Sequence, residues 1–202
     1  TMTASAATIS IGDFEANSLD GWEVSGFSSA VGRSVTVDTV GATSGSGSLR
    51  YTAPVGSNFQ WGIQKDMNPF MSTIGGASSV LLSFDITWVQ SEWVTNGGNF
   101  VQVAEVAFNS PATGFGGLQR PTITSDSGSG FVGGWDSVNF PGTHTRTITW
   151  DVTSIFDGSL PTGNPYAQFA LAFNFSGDFT TAGNFYLDNI EITTPGAIPE
   201  PS

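Results

Sequence analysis

Val80-Leu81-Leu82-Ser83-Phe84-Asp85-Ile86-Thr87-Trp88-Val89 sets Val80, Leu82, Phe84, Ile86 and Trp88 on one side of an extended chain. Side chains of a strand point alternately to opposite faces, so this period of two predicts a β-strand with one buried face. Ala167–Phe175 repeats the pattern with Ala167, Phe169, Leu171, Phe173 and Phe175. Thr145–Val152 repeats it with Arg146, Ile148, Trp150 and Val152 against a row of threonines. Shorter alternating stretches are Thr8–Ile11, Ser34–Val40, Ser48–Ala53, Phe59–Gln64, Phe100–Phe108 and Phe185–Ile192. Clusters of Gly, Ser, Asn and Pro between them supply turn conformations. Gly114–Gly117 and Ser125–Gly134 read as the loosest connections, parts of one long excursion. No window keeps a helical period. About nine or ten strands with no helix between them predict an all-β protein, an antiparallel β-sandwich of the jelly-roll type.

Composition bounds the function. The chain of 202 residues suits one large β domain, read as residues 8–194, with an N-terminal segment 1–7 and a C-terminal linker 195–202. There is no cysteine, hence no disulfide framework and no thiolate chemistry. Five basic residues face seventeen acidic ones, a net charge of −12. Such a chain repels phosphate backbones and anionic lipid, so nucleic acid is excluded as a partner. No apolar run is long enough to span a membrane. Only 11% of residues are charged, which leaves Ser, Thr, Asn, Gln and Gly to make the surface polar and suited to hydroxyl-rich partners.

The alternation breaks twice. Ile9 and Ile11 share a face but Phe14 has the opposite parity, which predicts a bulge at Gly12-Asp13. Phe185 and Leu187 fall out of phase with Ile190 and Ile192, which predicts another at Asp188-Asn189. Bulges re-aim side chains, and each of these re-aims a carboxylate, Glu15 or Asp188. Two readings stand open: the pair shares a hard cation, which takes several oxygen ligands, or both are solvated acids at strand ends.

These residues carry a resemblance. Asp13-Phe14-Glu15, Gly21-Trp22, Ser44-Gly45-Ser46-Gly47-Ser48-Leu49-Arg50-Tyr51 and Tyr186-Leu187-Asp188-Asn189-Ile190 together resemble carbohydrate-binding modules of families 4, 9 and 22. The resemblance runs from Ile9 to Ile192 and implies a galactose-binding-like jelly roll. It also implies a structural Ca2+ held by Glu15, by backbone carbonyls around Ser44 and Ser46, and by Asp188. The xylan-binding members place a sugar-binding Trp where Trp61 stands. An arginine that the family often places soon after its Gly-Trp is missing, since Val24, Ser25 and Gly26 follow Trp22.

Sugars offer apolar C–H faces ringed by hydroxyls, so their sites pair an aromatic platform with polar side chains. Trp61 shares parity with Phe59 and Ile63, which reads equally as core. Trp22, Trp88 and Trp150 read as core. Trp93 and Trp135 fall in loops and complete the glycan-binding set of Trp61, Trp93 and Trp135. Catalytic constellations are lacking. The one histidine, His144, lies ahead of a strand and reads as a surface residue, and no Gly-x-Ser-x-Gly elbow exists. Glu92, Glu105, Asp136 and Asp151 offer carboxylates for glycoside hydrolysis, but nothing selects a pair among them.

The ends resemble the marks of export. The closing residues Ile198, Pro199, Glu200, Pro201 and Ser202 resemble the start of a PEP-CTERM sorting signal. Ala4-Ser5-Ala6 fits the small-residue pattern of a signal-peptidase site. The expectation is a non-catalytic, exported protein of the cell surface or extracellular matrix that binds a polysaccharide or cell-surface glycan. The alternative is a homopolymer, a fibre subunit whose Thr1–Ser10 segment completes a neighbour's sheet. A polysaccharide-active enzyme ranks third.

Overall fold

A computed structural model describes residues 6–27, 32–54, 59–74, 77–92, 100–111, 114–119, 123–126, 136–137, 142–156, 166–175 and 183–195. Trp93 and Trp135 lie outside them. The fold is the expected antiparallel sandwich of two sheets. In chain order the strands are β1 (Ala7–Gly12), β2 (Trp22–Val24), β3 (Ser34–Asp38), β4 (Ser48–Ala53), β5 (Phe59–Asp66), β6 (Leu81–Val89) and β7 (Phe100–Ser110). They continue with β8 (Gly114–Gln119), β9 (Ile123–Asp126), β10 (Asp136–Ser137), β11 (Thr143–Asp151), β12 (Gln168–Phe175) and β13 (Gly183–Thr194). One turn of helix, α1 (Met71–Ile74), connects β5 to β6.

A seven-stranded sheet has the order β3-β4-β13-β6-β11-β9, with β1 also pairing β13. The facing six-stranded sheet has the order β10-β7-β12-β5-β2, with β8 also pairing β7. Between them lies an aromatic core. Phe173 of β12 meets Phe185 of β13 at 4.4 Å between centroids and Tyr51 of β4 at 5.1 Å, so side chains of the two sheets interdigitate. Phe84 meets Trp150 edge-on at 5.6 Å. Trp22, Trp88 and Trp150 are buried, as their parity implied.

Three local expectations are corrected. Gly114–Gly117 is not loop but most of β8, which pairs Ser110 to Glu105 of β7. Its glycines hid a strand because they alternate with nothing. The first bulge lies one step earlier than Gly12-Asp13, between Ser10 and Gly12, where β1 slips against β13. His144 is inside β11 rather than ahead of it, with its ring stacked on Trp88 at 5.4 Å. The second bulge stands where expected, beyond Asp188, with Asn189 in the left-handed region at φ 50°.

Candidate functional site

Trp61 lies on the outer face of the six-stranded sheet. Ile63 pairs with Leu171 and Trp61 with Ala172, so Gly62 is an extra residue on β5. Ile63 is buried in the core, and a side chain on Gly62 would run into the rings of Phe173 and Tyr51. Both residues therefore point inward, and Trp61 turns outward. The shared parity with Ile63 is broken by that bulge. The open reading of Trp61 resolves to the outer face.

Directly paired residues lie on one face, so the registers map the outside of this sheet. One row crosses it as Glu23, Gln64, Ala170, Ala107 and Gly117. The next holds Trp61, Ala172 and Glu105. A third holds Asp66, Gln168, Asn109 and Phe115. The centre is a floor of small residues, Ala107, Ala170, Ala172 and Gly117. Over it the rings of Trp61, Phe27 and Phe115 meet edge-on, at 5.9 Å for Phe27–Trp61, 5.7 Å for Phe27–Phe115 and 5.6 Å for Trp61–Phe115. Trp61 and Phe115 belong to strands three places apart, so the face is concave enough for their rings to touch. That roof explains why the three alanines are fully buried on an outer face. Phe115 itself is 53% exposed.

Polar groups border the aromatics. Gln64 donates through Nε2 to Glu23 Oε1 at 2.8 Å, and its Oε1 accepts the Gly26 N–H at 3.0 Å. The guanidinium of Arg33 donates to the carbonyls of Trp61 and Ser25. Asn109 donates to Gln168 at 3.1 Å. Glu105 sits beside Gly117, and burial raises its carboxyl above the ordinary value. Sequence reasoning missed Phe27, Phe115 and Glu105. Phe27 and Phe115 stand beside glycines outside any alternating run, and Glu105 read as one of several acids without a partner.

On the seven-stranded sheet the structure brings Glu15, Ser44, Ser46 and Asp188 to one loop. Glu15 Oε1 accepts the N–H groups of Ser46 and Gly47 at 2.8 and 3.0 Å, and Oε2 accepts the Ser46 hydroxyl at 3.0 Å. Asp188 Oδ2 accepts the N–H groups of Thr43 and Ser44 at 2.7 and 3.0 Å, and Oδ1 accepts that of Asn189 at 2.8 Å. The Ser-Gly-Ser-Gly composition follows from close approach. Gly45 has φ +64°, and a side chain there would strike the Glu15 carboxylate, while one on Gly47 would strike the Phe14 carbonyl.

Asp85, which alternation marked only as an outward polar residue, lies directly opposite Asp188 across β6 and β13. Its Oδ1 accepts the Thr147 hydroxyl at 2.5 Å and its Oδ2 accepts Asn189 Nδ2 at 2.9 Å. Asp85 and Asp188 are both buried, and like charges directly opposite repel. Neither has an ion pair among the described residues. The donor chemistry fits a cation incompletely: the loop turns N–H groups toward Glu15 and Asp188, whereas a hard cation needs oxygen lone pairs. Among the described residues no three acidic or histidine side chains converge as metal ligands. Hydrogen bonds alone account for the loop's position between the two acids.

No protein-family model and no curated protein sequence matches the chain. Solved structures do. A family 28 carbohydrate-binding module, described as specific for non-crystalline cellulose, superposes with TM-score 0.58 at 16% identity, covering 96% of this chain and 98% of that one. The C-terminal family 22 module of Clostridium thermocellum Xyn10B gives 0.54 at 15% identity, covering 93% and 94%. A family 22 xylan-binding domain gives 0.52 at 14%, again covering 93% and 94%. At such identities the likeness shows the fold. The chain has the β-sandwich of carbohydrate-binding modules, and family 22 is one of the three its motifs resemble.

Proposed function

We propose that the chain is a non-catalytic module of an exported protein that binds a polysaccharide through the concave outer face of its six-stranded sheet. The observation that carries this reading is the cluster of Trp61, Phe27 and Phe115 over an alanine floor, flanked by Gln64, Glu23 and Glu105. Aromatic rings that face solvent offer a stacking surface for the apolar side of a sugar, and the flanking groups fix its hydroxyls. The sandwich likeness to cellulose- and xylan-binding modules supports the same class of ligand. No helix among the described residues is long and apolar enough to cross a membrane. Export to the cell surface or matrix is part of the proposal and rests on the resemblances at the chain ends.

The test is retention in affinity gels containing single polysaccharides. Replacing Trp61 or Phe115 by Ala should weaken retention about tenfold or more, the equivalent of about 1.4 kcal/mol, while the melting curve stays cooperative. Trp61 lies outside the core between the sheets, so its loss does not open a core cavity. Unchanged retention in both variants would sink the aromatic platform.

The structural Ca2+ remains a second proposal. What supports it is the pair of buried carboxylates, Asp85 and Asp188, placed opposite each other without a basic partner among the described residues. Glu15 and the carbonyls of Ser44 and Ser46 would hold the ion with Asp188, and the ion would supply positive charge to the clasp. A ligand that binds only the folded state stabilises it. Chelation should then lower the melting temperature, micromolar calcium should restore it, and Asp188→Ala should abolish the response. A melting curve indifferent to chelator, with elemental analysis showing the metal gone, leaves the hydrogen bonds as the whole clasp.

A further inference from the structure

Among the described residues of the concave face, Glu105 is the polar side chain whose situation is unexplained by folding. Only 9% of the residue is exposed, and its carboxylate has no hydrogen-bond or ionic partner among the described residues. The surroundings are built to keep it there. A side chain on Gly117 would run into Glu105 Oε1, so the bare glycine of β8 makes room for the carboxylate. In the same row Ala172 separates Glu105 from Trp61, leaving a methyl floor between an aromatic wall and an acceptor.

We propose that Glu105 selects the ligand of this face, accepting hydroxyl groups of uncharged sugars and rejecting glycans that carry carboxylate or sulfate. The inference rests on the glycan-binding reading and names the substrate class of that same site. A carboxylate can accept two O–H groups at once, and neighbouring sugar hydroxyls present such a pair. Hydrogen bonds to a charged acceptor are the stronger kind. A uronate or sulfate brought over Ala172 meets a like charge at close range. The guanidinium of Arg33, which donates to the carbonyls of Trp61 and Ser25, keeps its charge but is not among the causes that shift Glu105. The net charge of −12 acts in the same direction at longer range. Burial also raises the Glu105 carboxyl from its ordinary value. That makes the ionised form a cost to the folded state which O–H donors of a ligand would offset.

The experiment compares the full chain with Glu105→Gln and Glu105→Ala in gels containing xylan, hydroxyethyl cellulose or glucomannan, and in gels containing polygalacturonate, alginate or dextran sulfate. The parent is expected to be retarded by at least one neutral polymer and by none of the anionic ones. Both variants should lose about tenfold or more in neutral retention. Glu105→Gln should melt no lower than the parent at neutral pH, which separates lost binding from lost folding. Neutral retention unchanged within about twofold in a folded Glu105→Gln overturns the inference and leaves the glycan-binding reading intact. Retention of the parent by an anionic polymer as strong as by any neutral one also overturns it. A parent retained by none of the six polymers, under conditions where a known binder is retained, removes the glycan-binding reading and this inference with it.

Discussion

Glu15 is partly exposed, and its carboxyl is held below the ordinary value of 4.5. The largest cause is the backbone N–H of Ser46, followed by that of Gly47 and then the Ser46 hydroxyl. Donors aimed at the charged form favour it over the neutral acid. The sign for stability follows. A carboxyl whose folded value is depressed adds stability that is present above its unfolded value and is lost as pH falls through the folded one. Glu15→Gln should therefore melt below the parent at neutral pH. The gap should close as pH falls below 4.5, where the parent's own carboxylate takes up its proton. Thermal melts of both proteins across the acid limb check this. A gap that stays constant to the lowest pH at which both fold means that Glu15 holds the loop without its charge.

At the scale of the element, the long strands were legible and the bulges were only partly so. β6 and β12 carry unbroken alternation, which reports burial of one face directly, and both emerged as central strands. Asp188-Asn189 was legible because two apolar pairs straddle it out of phase. Gly62 was not, because glycine has no side chain to lose phase, and so Trp61 read equally as core. β8 was hidden for the same reason; among its glycines Gly117 makes room for Glu105, while Gly114 takes a left-handed φ of 69°. Asp85 gave no signal, since its partner Asp188 lies 103 positions away in the chain and only the pairing of β6 with β13 joins them. The bulge makes a prediction. Gly62→Ala drives a methyl group into the Phe173 and Tyr51 rings, and overpacking of this kind costs about 1–3 kcal/mol. Chemical denaturation should show that loss with an unchanged slope. An unaltered midpoint would mean that Gly62 does not face the core.

For the whole molecule the remaining question is whether the first strand stays at home. β1 pairs Ala7–Gly12 with the last residues of β13, Thr194 back to Ile190, beside β4 on the same edge. Thr8 and Thr193 join hydroxyls at 3.1 Å, and the Ile11 carbonyl accepts the buried Trp22 Nε1–H at 2.7 Å. The segment considered for donation to a neighbour, Thr1–Ser10, thus includes four residues that complete the chain's own sheet, while residues 1–5 lie outside the described ones. A fibre would require the same pairing to be made in trans, with one subunit's β1 laid on the next subunit's Ile190–Thr194 edge. Deleting residues 1–10 exposes that edge in either case and removes several ladder hydrogen bonds together with the partly buried Ile9. The melting temperature should fall by about 4–8 °C, taking a loss of about 2 kcal/mol and about 2–4 °C per kcal/mol for a chain of this size. Stability alone therefore cannot separate a strand kept from a strand exchanged; size can. In exchange, the parent should run as concentration-dependent polymers, the deletion as monomer, and a peptide of residues 1–10 should cap growth by occupying the open edge. With β1 at home, parent and deletion should elute as identical monomers at matched concentration in size-exclusion chromatography. That result, together with the fall in melting temperature, would exclude the fibre and assign β1 to the module's own sheet.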